Sequence, residues 1–444
     1  MTTVLRPVAA ADVHAVLGRS MLVDGFDLVL DLAASRGSRL VDARTGRSFL
    51  DLFTFYASSA LGMNHPALAE DEVFRCELLE AALNKPVNSD VYTVPMARFV
   101  ETFVRVLGDP ALPHLFFVEG GALAVENALK AAFDWKSRWN QAHGLDPALG
   151  TKVLHLRDAF HGRTGYTMSV TNTDPVKTDR YPKFAWPRIP SPYVSSDHGP
   201  VGQRETEALA AARAAFGQFP HDIACFLVEP IQGEGGDHHL RPQFLQAMQR
   251  LCREHDALLV LDEVQTGCGL TGTAWAYQQL GLSPDVVAFG KKTQVCGVMA
   301  GGRVDEVPDN VFTTSSRLNS TWGGSLTDMV RARRILEVIE ADGLIGHAAA
   351  AGRHLLHLLH GIADRHPEVT DVRGRGLMCA FTLPGPGLRG RVLDLLRDEE
   401  DVLLLGCGRR SVRFRPALTV SRAELEAGVA ALDRVLTLAA AEHR

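Results

Sequence analysis

The stretch that decides the fold is Ala257–Gly302, ALLVLDEVQTGCGLTGTAWAYQQLGLSPDVVAFGKKTQVCGVMAGG. It holds two apolar runs in which hydrophobic residues fill nearly every position instead of alternating. That pattern is expected of short strands buried on both faces of a parallel sheet. One run ends at Asp262 and the other at Lys291, 29 positions on. Functional side chains of such sheets gather beyond the carboxyl ends of the strands. A carboxylate and an amine are therefore expected at one sheet edge. The two could form a structural ion pair. They also match what pyridoxal phosphate needs, a lysine to form a Schiff base and an acid beside its pyridinium nitrogen.

The same stretch offers a competing motif. Gly267, Gly269 and Gly272 spell G-x-G-x-x-G directly after a strand. A dinucleotide site would open a helix within that motif and place an acid about 20 residues further on. Asp285 arrives 13 residues after Gly272, on the next strand, and no long helix intervenes. The glycines are expected to form a tight turn beside the cofactor.

The 444 residues suffice for two or three domains. Apolar residues make up 46% and charged residues 22%, as in an ordinary globular enzyme. The net charge of −6 and the lack of a basic stripe argue against nucleic acid or an anionic membrane as partner. No apolar run approaches the length of a membrane span. The opening segment MTTVLRPVAAADVHAVLGRS carries Asp12 and His14 and lacks the apolar core of a signal peptide. The seven cysteines are scattered, odd in number and free of C-x-x-C, which is expected of reduced thiols in a cytoplasmic protein. His238-His239 and the other histidines have no ligand spacing, so no metal site is expected.

Along the chain, 41–51 predicts a hairpin around Thr45-Gly46, and 115–118, 152–156 and 225–229 predict strands. Helices are expected over 123–139, 205–216 and 242–256, an ordered long loop over 173–204, and one helical stretch from 328 to 366. Short strands mix with helices in the tail, at 377–383, 402–405 and 411–414. This is the pattern of a large α/β domain, 61–330, inserted between the two parts of a smaller one, 1–60 and 331–444.

The string D-E-V-x-x-G-x-G-L-x-G, followed by P-D-V-V-A-F-G-K-K, resembles the signature of class III (omega) aminotransferases. Asp262, Glu263, Gly267, Asp285, Gly290 and Lys291 stand at that family's spacing. The resemblance implies an α/β protein of fold type I, a large domain with a mostly parallel sheet flanked by helices and a smaller α/β domain formed by both termini. The family's Gly-Lys spacing selects Lys291 over Lys292 as the Schiff-base residue, and strand alternation would let only one of them face the cofactor. Asp262 would keep the pyridine nitrogen protonated, and Gln265 would lie near the ring hydroxyl. Gly120-Gly121-Ala122 precedes a helix, whose N–H groups form a natural phosphate cradle. It resembles the family's phosphate loop with a glycine in place of the leading serine, and Glu126 keeps the acidic position that follows. Phe160-His161-Gly162-Arg163 resembles the segment whose aromatic ring stacks on the cofactor; His161 is given no catalytic role. Thr321 resembles the threonine that reaches the phosphate from the neighbouring subunit, which implies a homodimer with shared active sites.

Arginine grips a carboxylate through two parallel hydrogen bonds. Arg163 and Arg413 both fall where class III enzymes keep carboxylate-binding arginines. Arg415 rivals Arg413, because the pleat sends both to one face. Glu234 resembles the glutamate that masks the second arginine when a cationic amine binds. Asn319, beside Ser320 and Thr321, is expected on the substrate side. The strings AFGKKTQVCGVMAGG, EPIQGEGGDHH and LNSTWGG are most similar to the lysine 6-aminotransferases of the class. That similarity implies transfer of the ε-amino group of L-lysine to 2-oxoglutarate, giving 2-aminoadipate 6-semialdehyde and L-glutamate. An ornithine or 4-aminobutyrate aminotransferase would share every cofactor residue. An aminomutase would need no second carboxylate clamp, and a regulator without catalysis would not need the Lys–Asp–Arg set.

Overall fold

The computed structural model describes residues 8–442. Residues 1–7 and 443–444, included in the expectations for the opening segment and the tail, lie outside them. Leu258–Asp262 is the middle strand of a seven-stranded sheet and is buried along its whole length. It runs parallel to Ile223–Val228 on one side and to Val286–Phe289 on the other. Lys152–Leu156 and the two-residue strand Arg188–Ile189 continue the sheet in the same direction. On the far side lie Cys296–Ala300 and then His114–Val118. Only Cys296–Ala300 runs against the others. It returns from Val286–Phe289 through a short turn, and a connection that short cannot cross over to a parallel position.

The unbroken hydrophobicity of the central strands follows from cover on both faces. Leu258 and Val260 pack under the helix Gly121–Ala142, against Ala124, Ala128 and Leu129. Leu259 and Leu261 join the opposite core, where Phe99, Phe103, Phe117, Trp275 and Phe289 pack ring against ring. Each such side chain contributes roughly 1.5–3 kcal/mol on burial, so this sheet is the rigid base of the molecule.

The hairpin Arg39–Val41/Ser48–Asp51 is joined by Val402–Leu403 into a small sheet, and a second sheet holds Thr370–Arg375, Met378–Thr382, Ser411–Phe414 and Leu405–Cys407. Thr370–Arg375, sequence TDVRGR, escaped the sequence reading because it is polar, half-buried and bulged. Arg188–Ile189 sits inside the stretch expected to be a loop and is too short for a periodic signal. The next helix starts at Val201, after Pro200, and not at 205. The helical stretch 328–366 is two helices, Leu326–Ala341 and Leu344–Arg365, broken at Gly343 with φ +60. Of the seven free cysteines, Cys76 is exposed and the rest are buried. Among the described residues no helix is long and apolar enough to cross a membrane.

Two features of the deciding stretch are structural. The glycine triplet forms a turn packed against Trp275 and the helix Leu344–Arg365. A Cβ on Gly267 would strike Trp275 at 2.4 Å, and one on Gly272 would strike Ala349 of the helix Leu344–Arg365 at 2.8 Å. Glu263 points away from the carboxyl-edge cavity described below. Its carboxylate accepts from Tyr277 N at 2.8 Å, Ala276 N at 3.1 Å and the Thr266 hydroxyl, and so caps the helix Ala276–Leu280. Glu263→Ala should therefore destabilise the protein by roughly 2–4 kcal/mol, by leaving two buried amides unpaired. Glu263→Gln keeps one carbonyl acceptor and should lose less. Thermal melts of the two variants check this; equal melting temperatures for Glu263→Ala and the parent would refute it.

Candidate active site

The sheet register brings the expected residues to one edge. Asp262 lies opposite Ala288, three residues before Lys291, and Val228, which precedes Glu229, lies opposite Leu261. A cavity of about 580 Å³ opens beyond these strand ends. Gly121, Ala122, Phe160, Arg163, Glu234, Asp262, Gln265 and Lys291 all line it. So do Phe55, Tyr56, Lys177 and Glu229, which the sequence reading did not single out.

Asp262 is buried. Its Oδ2 accepts from His161 Nδ1 at 2.8 Å and its Oδ1 from Val264 N at 3.0 Å. His161 is thus more than a core residue. A carboxylate only accepts, so Nδ1 carries the proton. His161 Nε2 is buried with no partner. Glu229 accepts from Phe160 N and Gly233 N, both at 3.0 Å, and ties together the two segments that wall the cavity. Burial, with the nearby charge of Asp262, pushes Glu229 up to about 7. The rule that selected Asp262, an acid just past a buried strand, would also have found Glu229.

Lys291 and Lys292 are not on a strand. Val286–Phe289 ends before them, and both sit on the 3-10 turn Lys291–Thr293, with Lys291 at φ +55. The alternation argument for choosing between them therefore lapses. Both amines donate to one strained segment. Lys291 Nζ reaches Tyr56 O at 2.9 Å, Lys292 Nζ reaches Ala57 O at 2.8 Å, and Gln294 Nε2 reaches Ser58 O at 2.9 Å. Thr54, Phe55, Tyr56 and Ala57 all have positive φ, between 43° and 70°. Lys291 lines the cavity and Lys292 does not. Burial, reinforced by Arg413 and Arg415, holds the Lys291 amine down at about 8.

Helix Gly121–Ala142 begins at Gly120 with no side-chain cap and no acid in its first turn. Its first amides are left for an anion. Glu126 holds the neighbouring segment, accepting from Thr164 Oγ1 at 2.6 Å and Thr167 N at 3.1 Å. Gly162 has φ +109, and a Cβ there would meet Ala122 Cβ at 2.4 Å. Only glycine lets the aromatic–His–Gly–Arg segment lie against the helix start.

Strand position alone left Arg413 and Arg415 unresolved, but their contacts separate them. Arg415 is fully engaged, by the Asp237 carboxylate, by Phe414 O at 2.8 Å and by Gln265 Oε1 at 2.9 Å. That last contact takes the Gln265 carbonyl and leaves its NH₂ for the cavity. Arg413, 2% exposed, gives one hydrogen bond to Glu234 Oε2 at 3.0 Å, and its Nε and Nη1 are buried without a partner. Glu234, and not Arg413, lines the cavity. Burial alone would raise the Glu234 pKa, but Arg413 and Lys177 outweigh it and hold it below the usual carboxylate range. Arg163 is exposed at the cavity and forms no ion pair among the described residues. Asn319 and Thr321 lie on an exposed loop and do not line the cavity of their own chain.

This donor set fits pyridoxal phosphate. An uncapped helix start could take the phosphate, a buried carboxylate and an amine line the same cavity, and Phe160 offers a ring at the wall. Among the described residues no cluster of three or more His, Cys, Asp or Glu could hold a metal ion.

A family model described as aminotransferase class-III matches residues 23–436. The chain is 68% identical to the L-lysine-epsilon aminotransferase of Mycobacterium tuberculosis over 434 residues, covering 97% of this chain and 96% of that protein. It is 60% identical to the protein of the same name from Streptomyces clavuligerus, covering 97% and 95%. A solved structure of the lysine aminotransferase from M. tuberculosis matches with a TM-score of 0.96 at 67% identity, over 97% of this chain and 100% of that one. A transaminase from the marine bacterium Virgibacillus, 20% identical, shares the fold with a TM-score of 0.85 over 98% and 100%.

The depressed Lys291 amine gives a pH prediction. Only the neutral amine can attack an aldehyde, so the rate at which the cofactor-free protein takes up pyridoxal phosphate should rise with pH, with a midpoint at about 8. Borohydride reduction and peptide mass should place the label on Lys291. Lys291→Ala should lose it and Lys292→Ala should keep it. A label retained in Lys291→Ala, or a midpoint near that of free lysine, would overturn the assignment.

Proposed function

The chain belongs to the class-III aminotransferases, which depend on pyridoxal phosphate, and from that premise we propose that it transfers the ε-amino group of L-lysine to 2-oxoglutarate, releasing 2-aminoadipate 6-semialdehyde and L-glutamate. The observation that carries this reading is a pair of arginines in different states, Arg163 on the cavity wall and Arg413 behind Glu234. Arg163 is open, and Arg413 is closed by Glu234. An enzyme that alternates between a cationic amine and a dicarboxylate needs one permanent carboxylate clamp and one that can be hidden.

Bound in the cavity, pyridoxal phosphate supplies a carbonyl that exchanges oxygen for the amine, and a ring that draws electrons from the breaking C–H bond. The first amides of the helix, at Gly121 and Ala122, take the phosphate. Asp262, oriented by His161, would keep a proton on the cofactor's ring nitrogen, and Gln265 and Phe160 would help to hold the ring. Lys291 is the covalent attachment point. Its Nζ would also be the base that moves the proton of the substrate ε-carbon. Arg163 grips the α-carboxylate of lysine, so the distal amine reaches Lys291. With L-glutamate or 2-oxoglutarate, Glu234 turns aside and Arg413 takes the second carboxylate.

We further propose a cytoplasmic homodimer in which Asn319 and Thr321 serve the cavity of the other subunit. Their exposure outside their own cavity supports this. The division into 1–60, 61–330 and 331–444 is proposed with it, and it fits the small sheet shared by both ends of the chain.

A donor panel with 2-oxoglutarate tests the substrate. Lysine should be the fastest of lysine, ornithine and 4-aminobutyrate, with mass spectrometry finding the cyclised semialdehyde. A faster ornithine reaction would move the assignment. Hybrid dimers test the sharing. One subunit carries Thr321→Ala and the other Lys291→Ala. If Thr321 crosses over, one site bears both lesions and the other none, and about half the parent activity remains. Residual activity at about half that of the Thr321→Ala homodimer would confine Thr321 to its own subunit.

A further inference from the structure

Lys177 has no place in the function proposed above. It ends the 3-10 turn Pro175–Lys177, capped by Asp174, within a segment expected to be a plain loop. Its Nζ donates to Glu234 Oε1 at 2.6 Å, while Arg413 holds Glu234 Oε2 at 3.0 Å. One carboxylate thus bridges two cations, with one oxygen on each. The cations are not equivalent. Arg413 is fixed on the strand Ser411–Phe414, with its guanidinium carbon 5.9 Å from the Tyr56 ring centroid. Lys177 is 26% exposed at the cavity wall, its Nζ 5.5 Å from the Phe160 ring centroid.

Unmasking Arg413 is opposed if Glu234 must leave its only partner in a largely buried place. The backbone on either side of Glu234 is closely packed. A Cβ on Gly235 would lie 2.1 Å from Asp158 O, and one on Gly233 would lie 2.4 Å from Gln265 Oε1, so the turn is wedged on both sides. Opening is therefore a rotation of the Glu234 side chain, and a rotation about Oε1 leaves the Lys177 contact in place. The charges then balance: Arg413 with the incoming carboxylate, and Glu234 with Lys177. Without Lys177, Glu234 and the incoming carboxylate would share Arg413 alone.

We propose that Lys177 is a specificity-determining positioning residue, the tether that keeps Glu234 paired while Arg413 is exposed to a dicarboxylate. It acts through Glu234 and does not touch substrate. The inference rests on the reading of Glu234 as the mask of Arg413. A compact charge on a flexible stem can follow a turning carboxylate, which a planar guanidinium does less well.

The test uses the holoenzyme and glutarate, a dicarboxylate with no amine to exchange. Lys177→Gln should weaken glutarate binding, measured calorimetrically, by about five- to tenfold. Binding of valerate, a monocarboxylate, should not change. KM for 2-oxoglutarate should rise while kcat and the single-turnover rate with lysine hold. Lys177→Arg should recover part of the binding. In a Glu234→Ala background the Lys177→Gln effect should vanish. Equal weakening of glutarate and valerate, equal loss in both half-reactions, or an effect that persists without Glu234 would overturn the tether. Glu234→Ala alone separates the two readings. If it leaves the lysine and glutamate half-reactions equally affected, the mask fails and the tether falls with it. If it splits them but Lys177→Gln does not, only the tether fails.

Discussion

The pairing of Asp262 with Ala288 in adjacent parallel strands is the constraint on which the site depends. Successive pairs along a strand are about 3.3 Å apart, and a slip of one residue turns every side chain to the other face. The register therefore fixes both how far Asp262 stands from Lys291 and the side on which each appears. It is held by two cores, one on each face, so that neither strand can slide without exposing large apolar surface. Glu229 and the Phe160–Arg163 segment reach the same edge because their strands share that register.

Around this edge the buried charges are sorted into pairs. Asp237 is paired with Arg415 through one carboxylate oxygen, Asp262 is oriented by His161, and Glu234 is divided between Arg413 and Lys177. Breaking a buried pair by removing one member costs about 3–5 kcal/mol, because the other charge stays behind. Arg415 is thereby tied down, and through it Gln265. Arg413 keeps two unpartnered donors and a single hydrogen bond, to Glu234.

The third element is strain. A left-handed turn of ordinary residues costs roughly 1–2 kcal/mol per residue, and Thr54–Ala57 is one. It is held from both ends. Asp51 accepts from Phe53 N and Thr54 N, and Thr54 Oγ1 donates to Arg415 O at 2.5 Å. Lys291, Lys292 and Gln294 then take the next three carbonyls. Such strain persists only where the surroundings over-determine it. Here it holds the Lys291 turn, itself at positive φ, against the small sheet built from both ends of the chain.

The sequence by itself determined what local patterns encode. Unbroken apolar runs marked the buried strands at 258–262 and 286–289, the chain placed Asp262 and Lys291 just past them, and Gly120-Gly121-Ala122 ahead of an alanine-rich run marked an open helix start. A side chain's neighbour across the fold leaves no such local trace. The sequence could not tell that the Gly267–Gly272 turn is pinned to a helix 77 residues later, at Ala349. It could not tell that Lys291 leaves the strand before its side chain is aimed, or that Lys177, in a stretch without periodicity, meets Glu234. Arg413 and Arg415 look alike in sequence and point to one face. Only the folded chain, by setting Asp237 beside one and Glu234 beside the other, decided which guanidinium is fully engaged and which keeps unpartnered donors.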